Sequence, residues 1–276
     1  MLQQKNPKKF VAFRLVNACL SNMDKDRIYL THLKNNFAIQ SKLIIQGSSE
    51  VHHHPSGKYV HDLRIAICRV RAIFWVIAQS ARHQRFAKID KTLKTLGLAL
   101  GRIREIDVAI LDAIHFHIEP SRLMPKNEHA IKKLNKLLSR CNRQNLKRMV
   151  RKAESRMSAL NKLDIRVAID ALVSILKTQK IETEMSQAKV HKLRIHIKKA
   201  RYALEAMGAK KLSSPKLLQS LKGIQDILGR SHDLEVLQSF FGKNKIVKAE
   251  QIELSKKALR SSRRVLDLAL LELRRF

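Results

Sequence analysis

The sequence matches itself about halfway along, and that repeat narrows the folds open to it more than any other feature. Residues 60–71, VHDLRIAICRVR, line up with residues 190–201, VHKLRIHIKKAR, at a shift of 130. After a slip of two, Leu93, Lys94, Leu100, Gly101, Arg102, Glu105 and Val108 meet Leu221, Lys222, Leu228, Gly229, Arg230, Asp233 and Val236. A fainter match at a shift of 120 sets Lys136, Arg140 and Arg143 opposite Lys256, Arg260 and Arg263. Each half therefore reads as one supersecondary unit, because self-similarity at a fixed spacing is the mark of a repeated architecture. The expected organisation is an N-terminal segment over residues 1–23, a first half over 24–160 and a second over 161–276, the two halves packed about a pseudo-two-fold axis.

The repeated units read as helical. Leu63, Ile67, Val70, Phe74 and Ile77 recur at i, i+4, i+7, i+11 and i+14, and Leu193, Ile197, Ala200, Leu204 and Met207 repeat that spacing, which is the apolar stripe of a helix. Eight Gly and five Pro leave few turns, grouped at residues 47–57, 120–125, 208–215 and at Gly242. Residues 128–160 contain neither, so a single long helix is expected there, with Ile131, Leu134, Leu138, Cys141, Met149 and Ala153 towards a partner; residues 245–275 read the same way. The fold class is all-α: two tandem helical bundles with long antiparallel helices.

The other face of the repeated helix is cationic. At 100° per residue, His61, Arg64, Cys68 and Arg71 fall within about 80° of one another, opposite the apolar stripe. His191, Arg194, Lys198 and Arg201 occupy the same stripe in the second copy, so each helix sets its polar groups along about 15 Å. That suits a linear string of phosphates, which Arg meets as a planar fork and Lys as a point charge. A single charged row usually marks a solvated face; keeping His, Arg and Arg in register twice points to an anion site instead. The acids Glu105, Asp107, Asp226 and Asp233 read as groups that orient or neutralise arginines. The whole chain agrees, with 56 Lys and Arg against 23 Asp and Glu, a net charge of +33 that calls for a polyanion.

These residues resemble the CHAD family, the conserved histidine α-helical domain, whose halves carry a His-x-x-Arg start to a basic helix followed by a Leu-Gly-x-x-x-Asp segment. VHDLRIAICRVRA with LALGRIREIDV carries the likeness in the first half, and VHKLRIHIKKARYALE with LKGIQDILGRSHDLEV in the second. The resemblance implies two helical bundles around a basic surface or pore that binds inorganic polyphosphate, in association with polyphosphate granules or with an enzyme of polyphosphate metabolism. Residue by residue it implies phosphate contacts from His61, Arg64, Arg69 and Arg71, and from His191, Arg194, Lys198, Lys199 and Arg201. Lys94, Lys136, Arg140, Arg143, Lys222, Arg260 and Arg263 are the expected flanking cations. Cys68 departs from the pattern, standing where a cation is usual, and the Glu-x-Glu-x-Lys text of the tunnel enzymes is missing because 182–186 ends in Ser186. The chain resembles a stand-alone CHAD protein.

Binding needs only the cationic surface, and no motif for catalysis accompanies it: there is no Walker loop and no His-Glu-x-x-His. His52, His53, His54 and His61 lack an acidic or cysteine partner at ligand spacing, so no metal or cofactor is expected. Nucleic acid is the main alternative, held through counterion release. Against it, Trp75, Tyr59 and Tyr202 are isolated in sequence, whereas single-strand binders offer stacking platforms. A phosphohistidine carrier at His61 or His191, or a phosphatase accessory, is the remaining rival. Cys19, Cys68 and Cys141 form no paired framework and fit a reducing cytoplasm. The longest apolar run, 65–77, is broken by Arg69 and Arg71, too short to cross a membrane.

Overall fold

The computed structural model describes residues 7–55, 57–81, 86–140, 143–179, 181–182, 185–208 and 215–274, the side chains of 7–25, 81, 140 and 143 excepted. Among the described residues there are nine α-helices, one short 3-10 turn and no strand. The helices are α1 (Pro7–His53), α2 (Gly57–Ala81), α3 (Ala87–His115), α4 (Met124–Arg140), α5 (Arg143–Ser158), α6 (Ile165–Lys177), α7 (Gln187–Ala206), α8 (Pro215–Phe241) and α9 (Lys245–Leu273). The fold is all-α. None of these helices is long and apolar enough to cross a membrane.

Local chemistry sets several boundaries. The Asp164 carboxylate accepts from the Arg166 backbone N–H to cap α6, and Asn244 accepts from Ile246 and Val247 at 2.9 and 3.2 Å to cap α9. Gly208 ends α7 with φ +83°, and a Cβ there would also sit 2.8 Å from the His32 ring, so the position needs glycine twice over. Gly242 turns the chain between α8 and α9 at φ +89°.

The stripes predicted from spacing are core. Leu63, Ile67, Val70, Phe74 and Ile77 on α2, and Leu193, Ile197, Ala200, Leu204 and Met207 on α7, are all buried within one hydrophobic cluster that draws on every helix. Burying each Leu, Ile or Phe contributes about 1.5–3 kcal/mol before entropy is charged. The helices that carry the repeat meet their counterparts directly, α2 against α7 and α3 against α8, while α1 covers α2 and α9 covers α8.

Two expectations need correction. The turn placed at 47–57 begins later, since α1 continues to His53 and Gly47 is a helical residue at a close crossing, where a Cβ would lie 3.4 Å from Leu63 Cβ. The single helix over 128–160 is two, α4 and α5; Cys141 lies outside the described residues. Absence of Gly and Pro permits continuity without imposing it. The buried residues of α4 include Leu134 and Leu138, and those of α5 are Leu146, Val150, Ala153 and Met157. Projected on one straight helix at 100° per residue, Ala130, Leu134 and Leu138 centre about 130° from Leu146, Val150, Ala153 and Met157, so the two pieces bury different faces.

Candidate functional site

Where α2 crosses α7 and α3 crosses α8, their polar faces enclose a groove of about 720 Å³. α2 supplies His61, Arg64 and Arg69; α7 supplies His191, Arg194, Lys198 and Arg201; α3 adds Arg104, and α8 adds Lys222, Arg230 and His232. Eight Lys and Arg side chains face four acids, Glu105, Glu205, Asp226 and Asp233, so positive charge remains after every pairing.

The electrostatics record that crowding. Burial lowers the pKa of Arg194, and Arg64 pushes the same way against Asp233, Glu105 and Glu235. Burial likewise lowers Lys198, with Arg64 and Arg194 adding to the effect and Cys68 opposing it. His61 is depressed by burial and then by Arg104, and its Nδ1 is buried without a hydrogen-bond partner. Burial and Arg194 depress His232, whose ring lies 5.3 Å from that of His191. Burial raises the Asp233 carboxyl against the pull of Arg194. The shifts of Arg194, Lys198 and His232 each reflect cations crowded together and partly removed from water.

Other cations are held in place by acids. Glu205 stands 3.8 Å from Arg69 Nε and 3.4 Å from Arg201 Nε, the latter an ionic approach without hydrogen-bond geometry, since that Nε is buried and unbonded. Burial pulls Arg230 down, but Asp112 and Glu250 more than offset it and raise its pKa; the guanidinium bridges from α8 to both. The two glycines of the repeated Leu-Gly-Arg text line the groove, where a Cβ on Gly101 would lie 3.7 Å from Arg64 Nε and one on Gly229 would meet nothing within 4 Å.

The structure divides the expected site residues into groups. Arg71, Lys94 and Lys199 turn away from the groove into an adjoining cavity of about 660 Å³, joined to it through Arg64, Arg194, Lys198 and Tyr202. Arg71 Nε there donates to Asp90 at 2.8 Å, and Lys199 Nζ sits 4.3 Å over the Trp75 ring. Lys136 on α4 and Arg260 and Arg263 on α9 are exposed and line neither space; Arg263 Nη2 instead donates to the Ile181 carbonyl at 2.9 Å. The side chains of Arg140 and Arg143 lie outside the described residues. Arg104 and His232 lie on α3 and α8, outside the two repeated stripes, although they are equivalent at the shift of 128 that aligns Gly101 with Gly229. Their signal was present, two cation-forming residues of different type at matched positions.

The profile of the CHAD domain matches residues 45–242. Among solved structures, the fold is similar to the crystal structure of the CHAD domain from the plant Ricinus communis, with a TM-score of 0.60 and 19% identity over 90% of this chain and 92% of that one. It is also similar to PptA from Streptomyces chartreusis, with a TM-score of 0.55 and 12% identity over 89% of this chain and 98% of that one. No curated protein sequence matches. At such identities the structural likeness speaks for the fold, and the profile match, which spans both copies of the His-x-x-Arg helix and the groove between them, makes the chain a member of the CHAD domain family.

Proposed function

We propose that this protein binds inorganic polyphosphate in the groove between α2, α3, α7 and α8, without chemistry on it. CHAD domains in general are linked to polyphosphate binding. The observation that carries the reading here is the convergence of both copies of the repeated cations on one groove with charge in excess of its acids. A string of phosphates meets these cations by charge-assisted bonds, and His61, His191 and His232 add donors that strengthen when protonated. Bound this way, the protein travels with its polymer, granules included, and presents it to enzymes that act on it.

The test is competition at near-physiological salt, with labelled long-chain polyphosphate challenged by equal phosphate equivalents of polyphosphate, RNA and duplex DNA. Efficient displacement by polyphosphate alone is the expected result. Equal displacement by RNA or DNA makes the groove a general polyanion site and nucleic acid the better-supported partner.

A further inference from the structure

The cavity beside the groove has a different character. Its wall is largely apolar and aromatic, with Phe74, Trp75, Leu98, Ile195 and Tyr202 among its residues. Trp75 and Tyr202, far apart in sequence, share this one space because α2 and α7 pack together. Leu98 and Ile195 are well exposed for residues of their size, at 67% and 48%. Three cations, Arg64, Arg194 and Lys198, line both the cavity and the groove.

A bare phosphate polymer makes no use of an aromatic wall. A ligand with a flat ring at one end and a short phosphate chain at the other uses both spaces at once. We propose that the cavity receives the ring of a nucleoside polyphosphate while its phosphates lie on Arg64, Arg194 and Lys198, an assignment that rests on the groove being a phosphate site. The half-buried Trp75 is the ring that can take part in stacking, with Lys199 Nζ 4.3 Å over one face as a cation that the base displaces or shares, whereas Tyr202, 5% exposed, only closes the wall. The wall also carries polar groups at its margin, the Arg71–Asp90 pair, Lys94 and the Trp75 indole N–H among them, so the stacking argument fixes a flat ring without choosing among bases. An aliphatic phosphate would fill the volume but forgo the stacking that makes aromatic walls tolerant of every base.

The chain has a single tryptophan, and it stands in the proposed site, so Trp75 fluorescence reports on the cavity directly. ATP, tripolyphosphate and adenosine are each titrated into the full chain, with calorimetry for affinity and Trp75 emission for location. ATP is expected to quench Trp75 and to bind about tenfold more tightly than tripolyphosphate, a stacking-sized gain, with adenosine unbound. Trp75→Leu, checked for helicity, brings ATP to the level of tripolyphosphate and leaves long-chain polyphosphate affinity unchanged, whereas Trp75→Phe keeps most of the ATP advantage. ATP binding no tighter than tripolyphosphate, with long-chain polyphosphate still held, overturns the cavity assignment alone. Failure of every phosphate chain to bind overturns the groove reading with it.

Discussion

Lys198 on α7 has Cys68 on α2 as a side-chain partner, and the two occupy equivalent positions in the repeat. Arg64 and Arg194, one turn earlier on each helix, are likewise equivalent and lie close enough for Arg64 to depress Arg194. A cation at 68 would put a fourth positive group beside Arg64, Arg194 and Lys198. The thiol relieves that repulsion while leaving Lys198 free to meet an anion.

Cys68 and Lys198 should therefore respond differently to substitution. Cys68→Ala is expected to leave polyphosphate affinity within about twofold, because the sulfur supports Lys198 without carrying charge to the ligand. Lys198→Met is expected to cost about tenfold and to flatten the salt dependence by about one ion. Titrations at several salt concentrations check both.

Arg194 and Arg201 look interchangeable in sequence, and reversal of either to Glu would be expected to weaken binding with the fold intact. Their surroundings separate them. Arg201 is 8% exposed and faces the half-buried Glu205, so Arg201→Glu sets an unpaired carboxylate in a buried position beside another acid and is expected to destabilise by about 3–5 kcal/mol. Arg194→Gln is the cleaner probe, with affinity reduced about tenfold or more and helicity retained. Denaturant melts beside binding isotherms distinguish the two outcomes.

Gly223 and Gly229 both lie inside α8 with open space where a Cβ would go, but Gly229 alone lines the groove. Gly223→Ala is expected to stabilise the protein by about 0.5–1 kcal/mol and to leave binding unchanged. Gly229→Glu keeps the helix and sets an acid in the groove, so affinity should fall about tenfold or more. Thermal melts and polyphosphate titration on the two variants test this.

His61 and His232 set the pH response. Burial lowers both below the ordinary imidazole value of about 6.5, assisted by Arg104 and Arg64 at His61, where Asp62 opposes, and by Arg194 at His232, where Glu235 opposes. Through these rings, as through His196, the unfolded chain binds more protons than the native one below about pH 6.5, so their contribution to stability is full above that value and is lost as pH falls through it towards the folded pKa values, while the raised carboxyls of Asp26, Asp107 and Asp233 act in the opposite sense at lower pH. A bound phosphate chain neutralises the cations that depress these rings, so binding takes up protons and tightens with acid. Melting temperatures with and without polyphosphate at about pH 7.5 and 5.5 should show the free protein weakened by acid and the complex less so; equal shifts would exclude the linkage.

The amino-acid sequence by itself determined the repeated helices α2 and α7 and the side of each that is buried, because a 3.6-residue period is a local property. Leu63, Ile67, Val70 and their counterparts from Leu193 onward could be assigned to the core without any knowledge of what they touch. It also determined that His61, Arg64, His191 and Arg194 form a repeated cationic stripe. Tertiary packing decided which cations share a space. Arg71 and Arg201 are equivalent in the repeat, yet one is bound to Asp90 in the side cavity and the other lies in the groove beside Glu205. Packing also brought Arg104 and His232 into the groove, separated α4 from α5, and set Trp75 beside Tyr202. The physical reason is that residue spacing places a side chain only around its own helix axis, while the crossing of one helix over another determines which faces meet.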